Sequence, residues 1–318
     1  MRTRSIPSRE FFNRVQLKTF LIISILVNVV FIYKTSQIQN LSQETTPTSQ
    51  KTQTSNAETE KLYEAINPKK GYAINATYAD LGPQMVKLGV IDIDKFRQAY
   101  ENGRGQMPQE YVDILQKGSS KQIRITRENA YFLLNYFWAV GLANKSKTLD
   151  TGELMKYGGL EGAGNFASTG GWSLGKTDAM NYYSKSSLVP LTKEQEALVE
   201  AVASDIYRPC CDNSTAFPDC NHGMALLGVL ELMAAQGANE DQMYEAAKYF
   251  NAFWFPGNYY DLALYFRNKE KKDFQSVDAR LILSREYSSA TGWQTVKQWL
   301  SEKGIIEQPP KQGGGCGV

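Results

Sequence analysis

The sequence predicts an all-α fold, a single multi-helix globular domain preceded by one transmembrane helix. Apolar residues recur at three- and four-residue spacing through most of the chain after residue 57, which is typical of helices packed on a core. A nearly continuous apolar run lies close to the amino terminus. A glycine-rich segment, residues 150–176, has no sustained period and is predicted to form a long loop.

The amino terminus is predicted to be an uncleaved signal anchor. Residues 17–34 begin LKTFLIISILVNVVFIY, at the short end of the length that spans a bilayer as a helix. Residues 1–16 form a basic arm, with four arginines against one glutamate, and the positive-inside rule places this arm in the cytoplasm. No small-residue cleavage site follows the apolar run. We therefore expect a single-pass protein of the cell membrane whose main domain is extracytoplasmic.

The net charge is unevenly distributed along the chain. Residues 1–34 carry six basic residues and one acidic residue, whereas the whole chain has a formal net charge of +2. The remainder is therefore mildly acidic. Because nucleic-acid binding needs a basic surface, no nucleic-acid partner is expected for this domain.

The segment after the apolar run differs in composition from the rest of the chain. Residues 35–57 are rich in Ser, Thr and Gln, which predicts a disordered linker. Residues 58–308 are predicted to form the helical extracytoplasmic domain, and residues 309–318 a flexible Gly/Cys tail. The predicted helices cover residues 57–66, 91–103, 108–118, 126–144, 192–207, 224–236, 240–255, 258–269, 276–288 and 291–304.

Local signals mark several helix ends. Asn239 and Gln242 match an amide version of the capping box, and Gly304 stands where a C-terminal glycine cap belongs. Pro256-Gly257 is expected to stop a helix. Within the glycine-rich segment, GGWSLGKT at residues 170–177 matches the phosphate-loop pattern, but no apolar strand precedes it, so no nucleotide cofactor is predicted.

The stretch CCDNSTAFPDCNHG, residues 210–223, contains three of the four cysteines and the only histidine. Three thiolates and an imidazole suit zinc or monovalent copper, which predicts a metal site. The spacing C-C-x₈-C-x-H is not the usual structural zinc knuckle, and no C-x-x-C-H motif for haem is present. The predicted ligands are Cys210, Cys211, Cys220 and His222, with Met224 and Cys316 as possible additions.

The same residues also fit two other functions, and the sequence favours a binding role over an enzymatic one. Cys220 precedes a predicted helix, whose dipole favours a thiolate, so Cys220 and Cys316 form a candidate thiol–disulfide pair. Alternatively, extracytoplasmic cysteines often form disulfides, and adjacent cysteines pair only under strain, so Cys210 or Cys211 would bridge to Cys220. Such a stapled module would bind a ligand through aromatic residues, namely Trp172, Trp254, Tyr259 and Tyr260.

The block from IYRPCC to NAFWFP, with NFASTGGWSLG upstream and GGGCGV at the end, resembles an uncharacterised family of bacterial membrane-anchored extracytoplasmic proteins. The resemblance covers most of the predicted exterior domain. It implies a membrane-anchored protein but no established activity.

Overall fold

Helices make up most of this computed structural model, and a small two-stranded sheet accompanies them. The structure describes residues 48–306, with side chains described from residue 57. The helices are α1 (Thr48–Ile66), α2 (Leu81–Leu88), α3 (Ile93–Glu101), α4 (Gln109–Lys117), α5 (Ala130–Ala143), α6 (Lys147–Thr151), α7 (Gly159–Ala163), α8 (Lys193–Asp205), α9 (Asn221–Ala235), α10 (Glu240–Trp254), α11 (Pro256–Tyr265), α12 (Ala279–Leu283), α13 (Arg285–Ser288) and α14 (Ala290–Glu302).

The sheet corrects the all-α prediction. Strand β1 (Tyr72–Ala79) pairs antiparallel with β2 (Ser119–Ile125), and the register shifts along the pair. Ile74, Ala76 and Tyr78 point inward at every second position of β1 and are buried. This alternation is faint in the sequence, because β1 also has alanines at the outward positions 73 and 79, and β2 has only two apolar residues, Ile123 and Ile125.

The helix boundaries agree well with the sequence signals. Helix α10 begins with the predicted capping box of Asn239 and Gln242, and Gly304 adopts a left-handed φ of 67° just after α14. Pro256 both ends α10 and begins α11, where its missing N–H costs nothing. Helix α1 begins at Thr48, inside the stretch predicted to be a linker.

Helices α5 and α9 form the centre of the core and make the most extensive helix–helix contact. Two glycines permit this approach. A Cβ on Gly141 would lie 2.1 Å from the carbonyl oxygen of Met224, and a Cβ on Gly228 would lie 2.5 Å from that of Phe137. Because the two backbones touch, the position of α9 is fixed along its length, including its first turn.

The glycine-rich segment packs partly onto the core, as its aromatic residues predict. Trp172 is only 3% exposed, and its Nε1 donates a hydrogen bond to the carbonyl of Val90 at 3.0 Å. The segment contains a 3₁₀ turn, Glu153–Lys156, and the short helix α7. Residues 170–177 lie between α7 and a second 3₁₀ turn, Ala179–Asn181, rather than between a strand and a helix.

Helix α9 also carries a buried carboxyl group. Glu231 is completely buried; its Oε2 accepts a hydrogen bond from Asn144 at 2.9 Å, while its Oε1 has no partner among the described residues. Burial raises the pKa of Glu231 to about 8, with the nearby Glu196 adding to the increase and hydrogen bonds from Ser146 and Asn144 opposing it. Glu231 is therefore predominantly neutral at pH 7.

Among the helices that the structure describes, none is long and apolar enough to cross a lipid bilayer. The predicted anchor, residues 17–34, lies outside the described residues, as does the predicted tail, residues 309–318.

The contact between α5 and α9 predicts unequal effects of two glycine substitutions. Gly228→Ala should lower the free energy of unfolding by about 1–3 kcal/mol, because the new methyl overlaps the backbone of α5. Gly257→Ala is the matched control, since Gly257 is also helical and nothing lies within 4 Å of the point where its new methyl would sit. It should leave stability equal or slightly higher. Urea unfolding of both variants tests this, and equal effects would contradict the close crossing.

The state of Glu231 predicts a pH dependence of stability. A carboxyl whose pKa is raised by folding stabilises the fold fully below its unfolded pKa, 4.5, and loses that contribution as pH rises through about 8. Because of Glu231, the free energy of unfolding of the wild type should therefore fall by roughly 4–5 kcal/mol between pH 4.5 and 9. The variant Glu231→Gln should lack this fall. The comparison is urea unfolding against wild type, with exposed Glu128→Gln as the control. Parallel pH curves for wild type and Glu231→Gln would refute the buried neutral state.

Candidate metal centre

The loop between α8 and α9 brings together the three cysteines of the sequence motif. The Sγ atoms of Cys210, Cys211 and Cys220 all lie within 4.8 Å of one another, and we call this group the thiol cluster. The Sγ atoms of Cys210 and Cys220 are 3.4 Å apart. All three thiols are free and partly buried. The thiol cluster is therefore close enough to hold one metal ion.

A buried arginine organises this loop. Arg208 has no exposed surface, and its Nε donates to the sulfur of Cys220 at 3.0 Å. Its Nη1 donates to the carbonyl of Asn213 at 3.1 Å, and its Nη2 to the carbonyl of Phe217 at 3.2 Å. Nη2 also forms an ion pair with Asp219. The guanidinium thus ties the backbone of residues 213–219 to the sulfur of Cys220.

The first turn of α9 is shaped to receive this arginine. The backbone N–H of Gly223 donates to the Cys220 sulfur at 3.4 Å, so Cys220 caps the helix through its side chain. A Cβ on Gly223 would lie 2.5 Å from Cζ of Arg208. Only glycine leaves room for the guanidinium to reach the sulfur at this position.

The three thiols differ strongly in acidity. Hydrogen bonds from Cys210 and Cys211 hold the pKa of Cys220 well below its ordinary value, and the charge of Arg208 and a hydrogen bond with His222 add to this despite burial. Hydrogen bonds with Cys211 and Cys220, together with burial, raise the pKa of Cys210. The fold therefore favours ionisation of Cys220 and opposes ionisation of Cys210.

The pKa of Cys211 is also raised, to about 11. Its hydrogen bond with Cys210 acts to lower the pKa, but its hydrogen bond with Cys220 and its burial together outweigh that effect. The Cys211 sulfur also lies 3.7 Å from Oδ1 of Asp219 and 3.9 Å from the carbonyl of Asn213. Cys210 and Cys211 are thus both protonated neighbours of Cys220.

A second anchor fixes the other side of the loop. The carboxylate of Asp212 accepts hydrogen bonds from the backbone N–H of Thr291 at 2.8 Å and from its hydroxyl at 2.7 Å. These bonds lower the pKa of Asp212. The backbone N–H of Ala290 donates to the carbonyl of Cys211 at 2.9 Å. The start of α14 therefore positions the adjacent cysteines.

His222 is not part of the group of mutually close ligand atoms, so the predicted Cys₃His set is incomplete in the described residues. Its ring packs on Phe255, with centroids 4.4 Å apart, and on Trp254, at 5.8 Å. Helix α9 begins at Asn221, and the helical first turn directs the imidazole toward these aromatic rings. His222 lies beside the thiol cluster, at its edge, and lines a neighbouring cavity.

The other predicted ligands and aromatic residues take different places. Met224 is completely buried in the hydrophobic core, the usual role of a thioether on an apolar helix. Cys316 lies outside the described residues. Tyr259 is fully buried and shares a hydrogen bond with Ser288 at 2.8 Å, so Tyr259, like Trp172, is a core residue. Of the four aromatics, Trp254 alone lines the cavity beside His222.

Sequence reasoning missed Arg208 and Asp219 as parts of the site. Both are adjacent or nearly adjacent to its cysteines, in RPCC and PDC, and this proximity was the available signal. Charged side chains are normally exposed, so nothing in the sequence marks Arg208 as completely buried.

Comparisons with protein-family models, with curated protein sequences and with solved structures give no match to this chain.

The acidity of Cys220 predicts selective alkylation. With iodoacetamide, Cys220 should react with an apparent pKa below the ordinary thiol value of about 8.5, while Cys210 and Cys211 react only at higher pH. Site-resolved mass spectrometry across a pH series measures each cysteine separately. Cys220→Ser should remove the low-pH reaction. A common transition of all three sites near pH 8.5 would contradict the assigned thiolate.

Proposed function

We propose that this protein binds a soft metal ion, with monovalent copper as the best occupant, through Cys210, Cys211 and Cys220, and that it acts in metal handling. The observation that carries the proposal is the convergence of three reduced sulfurs within 4.8 Å. Three free cysteines this close to one another form an all-sulfur donor set of the kind that suits soft metal ions.

The donor set supports copper over zinc. Thiolates are soft ligands, and monovalent copper accepts a low-coordinate, all-sulfur environment. Zinc prefers four ligands in a tetrahedron. The imidazole of His222, which would supply the fourth, packs on Phe255 outside the group. Zinc remains the alternative occupant, with water or a shifted His222 as its fourth ligand.

The electrostatics of the loop also support an anionic metal complex. Three thiolates and one monovalent cation carry a net negative charge, which is costly to bury without a counter-charge. The guanidinium of Arg208 lies 3.0 Å from the Cys220 sulfur and is fully buried, so it offsets part of that charge. The lowered pKa of Cys220 makes it the readiest of the three to bind as a thiolate, and binding would release the protons of Cys210 and Cys211.

The cellular setting is part of the same proposal. Residues 17–34 would anchor the chain in the cell membrane, and residues 58–308 would present the thiol cluster on the extracytoplasmic side. A soft-metal site in that position would meet metal ions that enter or leave the cell.

A second candidate function is thiol–disulfide exchange, favoured by the 3.4 Å separation of the Cys210 and Cys220 sulfurs. The Cys220 thiolate would attack a substrate disulfide and release one substrate thiolate. Cys210 would then attack the mixed disulfide, releasing the second substrate thiol and closing a Cys210–Cys220 bond. In this version the resolving residue is Cys210, whereas the sequence suggested Cys316.

Copper titration tests the leading proposal. The full-length chain, reduced and in detergent micelles without oxygen, should bind one monovalent copper ion in competition with bicinchoninate. Cys210→Ser, Cys211→Ser and Cys220→Ser should each weaken binding at least about tenfold, equal to about 1.4 kcal/mol, because each removes one sulfur ligand.

Two control variants test whether residues outside the thiol cluster bind the copper ion. His222→Ala and Cys316→Ser should each leave the copper affinity within about twofold of wild type, which separates the three-sulfur site from the other candidate ligands. Absence of copper binding by the fully reduced chain would overturn the metal proposal. Retention of full affinity in Cys211→Ser, with rapid oxidation of Cys210 and Cys220 by a disulfide substrate, would favour the exchange function instead.

A further inference from the structure

A cavity of about 590 Å³ lies next to the thiol cluster, on the other side of the first turn of α9. Helices α5, α9 and α10 contribute to its wall, together with the loop after α3 and the start of α11. Its volume falls within the range of small-molecule sites. None of the described cysteines lines it, so the cavity is separate from the thiol cluster although His222 is adjacent to both.

The aromatic side chains of this wall are fixed in place. Nε1 of Trp254 donates to the carbonyl of Ala130 at 3.1 Å, and Nε1 of Trp138 donates to that of Ser168 at 2.6 Å. The hydroxyl of Tyr131 donates to the carbonyl of Ala99 at 3.4 Å. Each ring is held by its one polar atom, so the apolar surfaces are preformed for a planar ligand.

A cation stands over one of these rings. Cζ of Arg104 lies 3.6 Å from the centroid of Tyr131. Arg104 lies between Gly103 and Gly105, whose φ values of 91° and 76° are in the left-handed region that favours glycine. Among the described residues no carboxylate lies within ion-pair distance of Arg104. A guanidinium stacked on a ring keeps its N–H edge free for a bidentate carboxylate.

The polar side chains that line the cavity favour a negatively charged ligand. Within the described part of the chain, the side chains lining the cavity include two arginines and no aspartate or glutamate. Arg127 already pairs with Glu64 and donates to the carbonyl of Asn67, which leaves Arg104 as the cation available to a ligand. Asn135 and Asn221 add amide groups. A carboxylate matches the paired N–H donors of this guanidinium better than the hydroxyls of a neutral sugar do.

We propose that this cavity binds a small organic anion with a planar aromatic body, whose carboxylate pairs with Arg104 and whose ring packs against Trp138 and Trp254, beside the stack of Arg104 on Tyr131. The juxtaposition of an unpaired guanidinium with three fixed aromatic rings carries the proposal. The site is independent of the metal function.

Calorimetric titration with 2-naphthoate and its neutral isostere 2-naphthamide tests the proposal on the full-length chain in micelles, with protein-free micelles as the blank. Wild type should bind naphthoate saturably and at least about tenfold more tightly than naphthamide. Arg104→Gln should abolish that preference by weakening naphthoate alone. Arg97→Gln is the matched control, because Arg97 pairs with Asp94 on the surface of α3 and should change neither affinity.

Two outcomes would overturn the assignment. One is an equal affinity of wild type for the acid and the amide; the other is no saturable binding of naphthoate. Naphthoate binding is measured without copper, so loss of copper binding in the cysteine variants leaves the cavity's result distinct. Because Arg104 is exposed on a loop, its replacement does not remove core packing. Circular dichroism of Arg104→Gln should match that of wild type.

Discussion

The hydrogen bond between Arg208 and the sulfur of Cys220 is the interaction on which the whole loop between α8 and α9 depends. A completely buried guanidinium needs anionic partners, and Arg208 has two, the carboxylate of Asp219 and the sulfur of Cys220. In turn, the charge of Arg208 favours the ionised form of the partly buried Cys220 thiol. The remaining N–H groups of Arg208 then fold residues 213–219 around the pair, which brings Cys210 and Cys211 to the same point.

The first turn of α9 serves two sites at once. Cys220 caps the helix and faces the thiol cluster, whereas Asn221 and His222 face the aromatic cavity. Because a helical turn sends neighbouring side chains in different directions, residues two positions apart belong to separate surfaces. A hydrogen bond between His222 and Cys220 joins them and contributes to the low pKa of that thiol. The lone histidine therefore influences the sulfur chemistry from outside the set of ligands.

Much of the helical architecture was readable from the sequence, because apolar periodicity and capping residues act locally. The convergence of Cys210, Cys211 and Cys220 was also readable, since one short segment carries all three. The direction of His222 was not, because it depends on Phe255, which is distant in sequence and packs against the imidazole only in the folded chain. The burial of Arg208 was equally hidden, since it contradicts the general preference of charged residues for the surface. The sheet was missed because alanines at outward positions of β1 and the mostly polar sequence of β2 blur the alternation of apolar and polar residues.

The contact of α5 with α9 through Gly141 and Gly228 has a kinetic consequence. Backbones that touch leave no room for one helix to slide along the other, so Cys220 and the cap of α9 form a stationary wall. Cys210 and Cys211 are held instead by a loop, through Arg208 on one side and Thr291 on the other. In the proposed metal complex, entry and departure of the ion would therefore depend on breakage of the Asp212–Thr291 hydrogen bonds, while the sulfurs and the charge of Arg208 would determine how tightly the ion is bound.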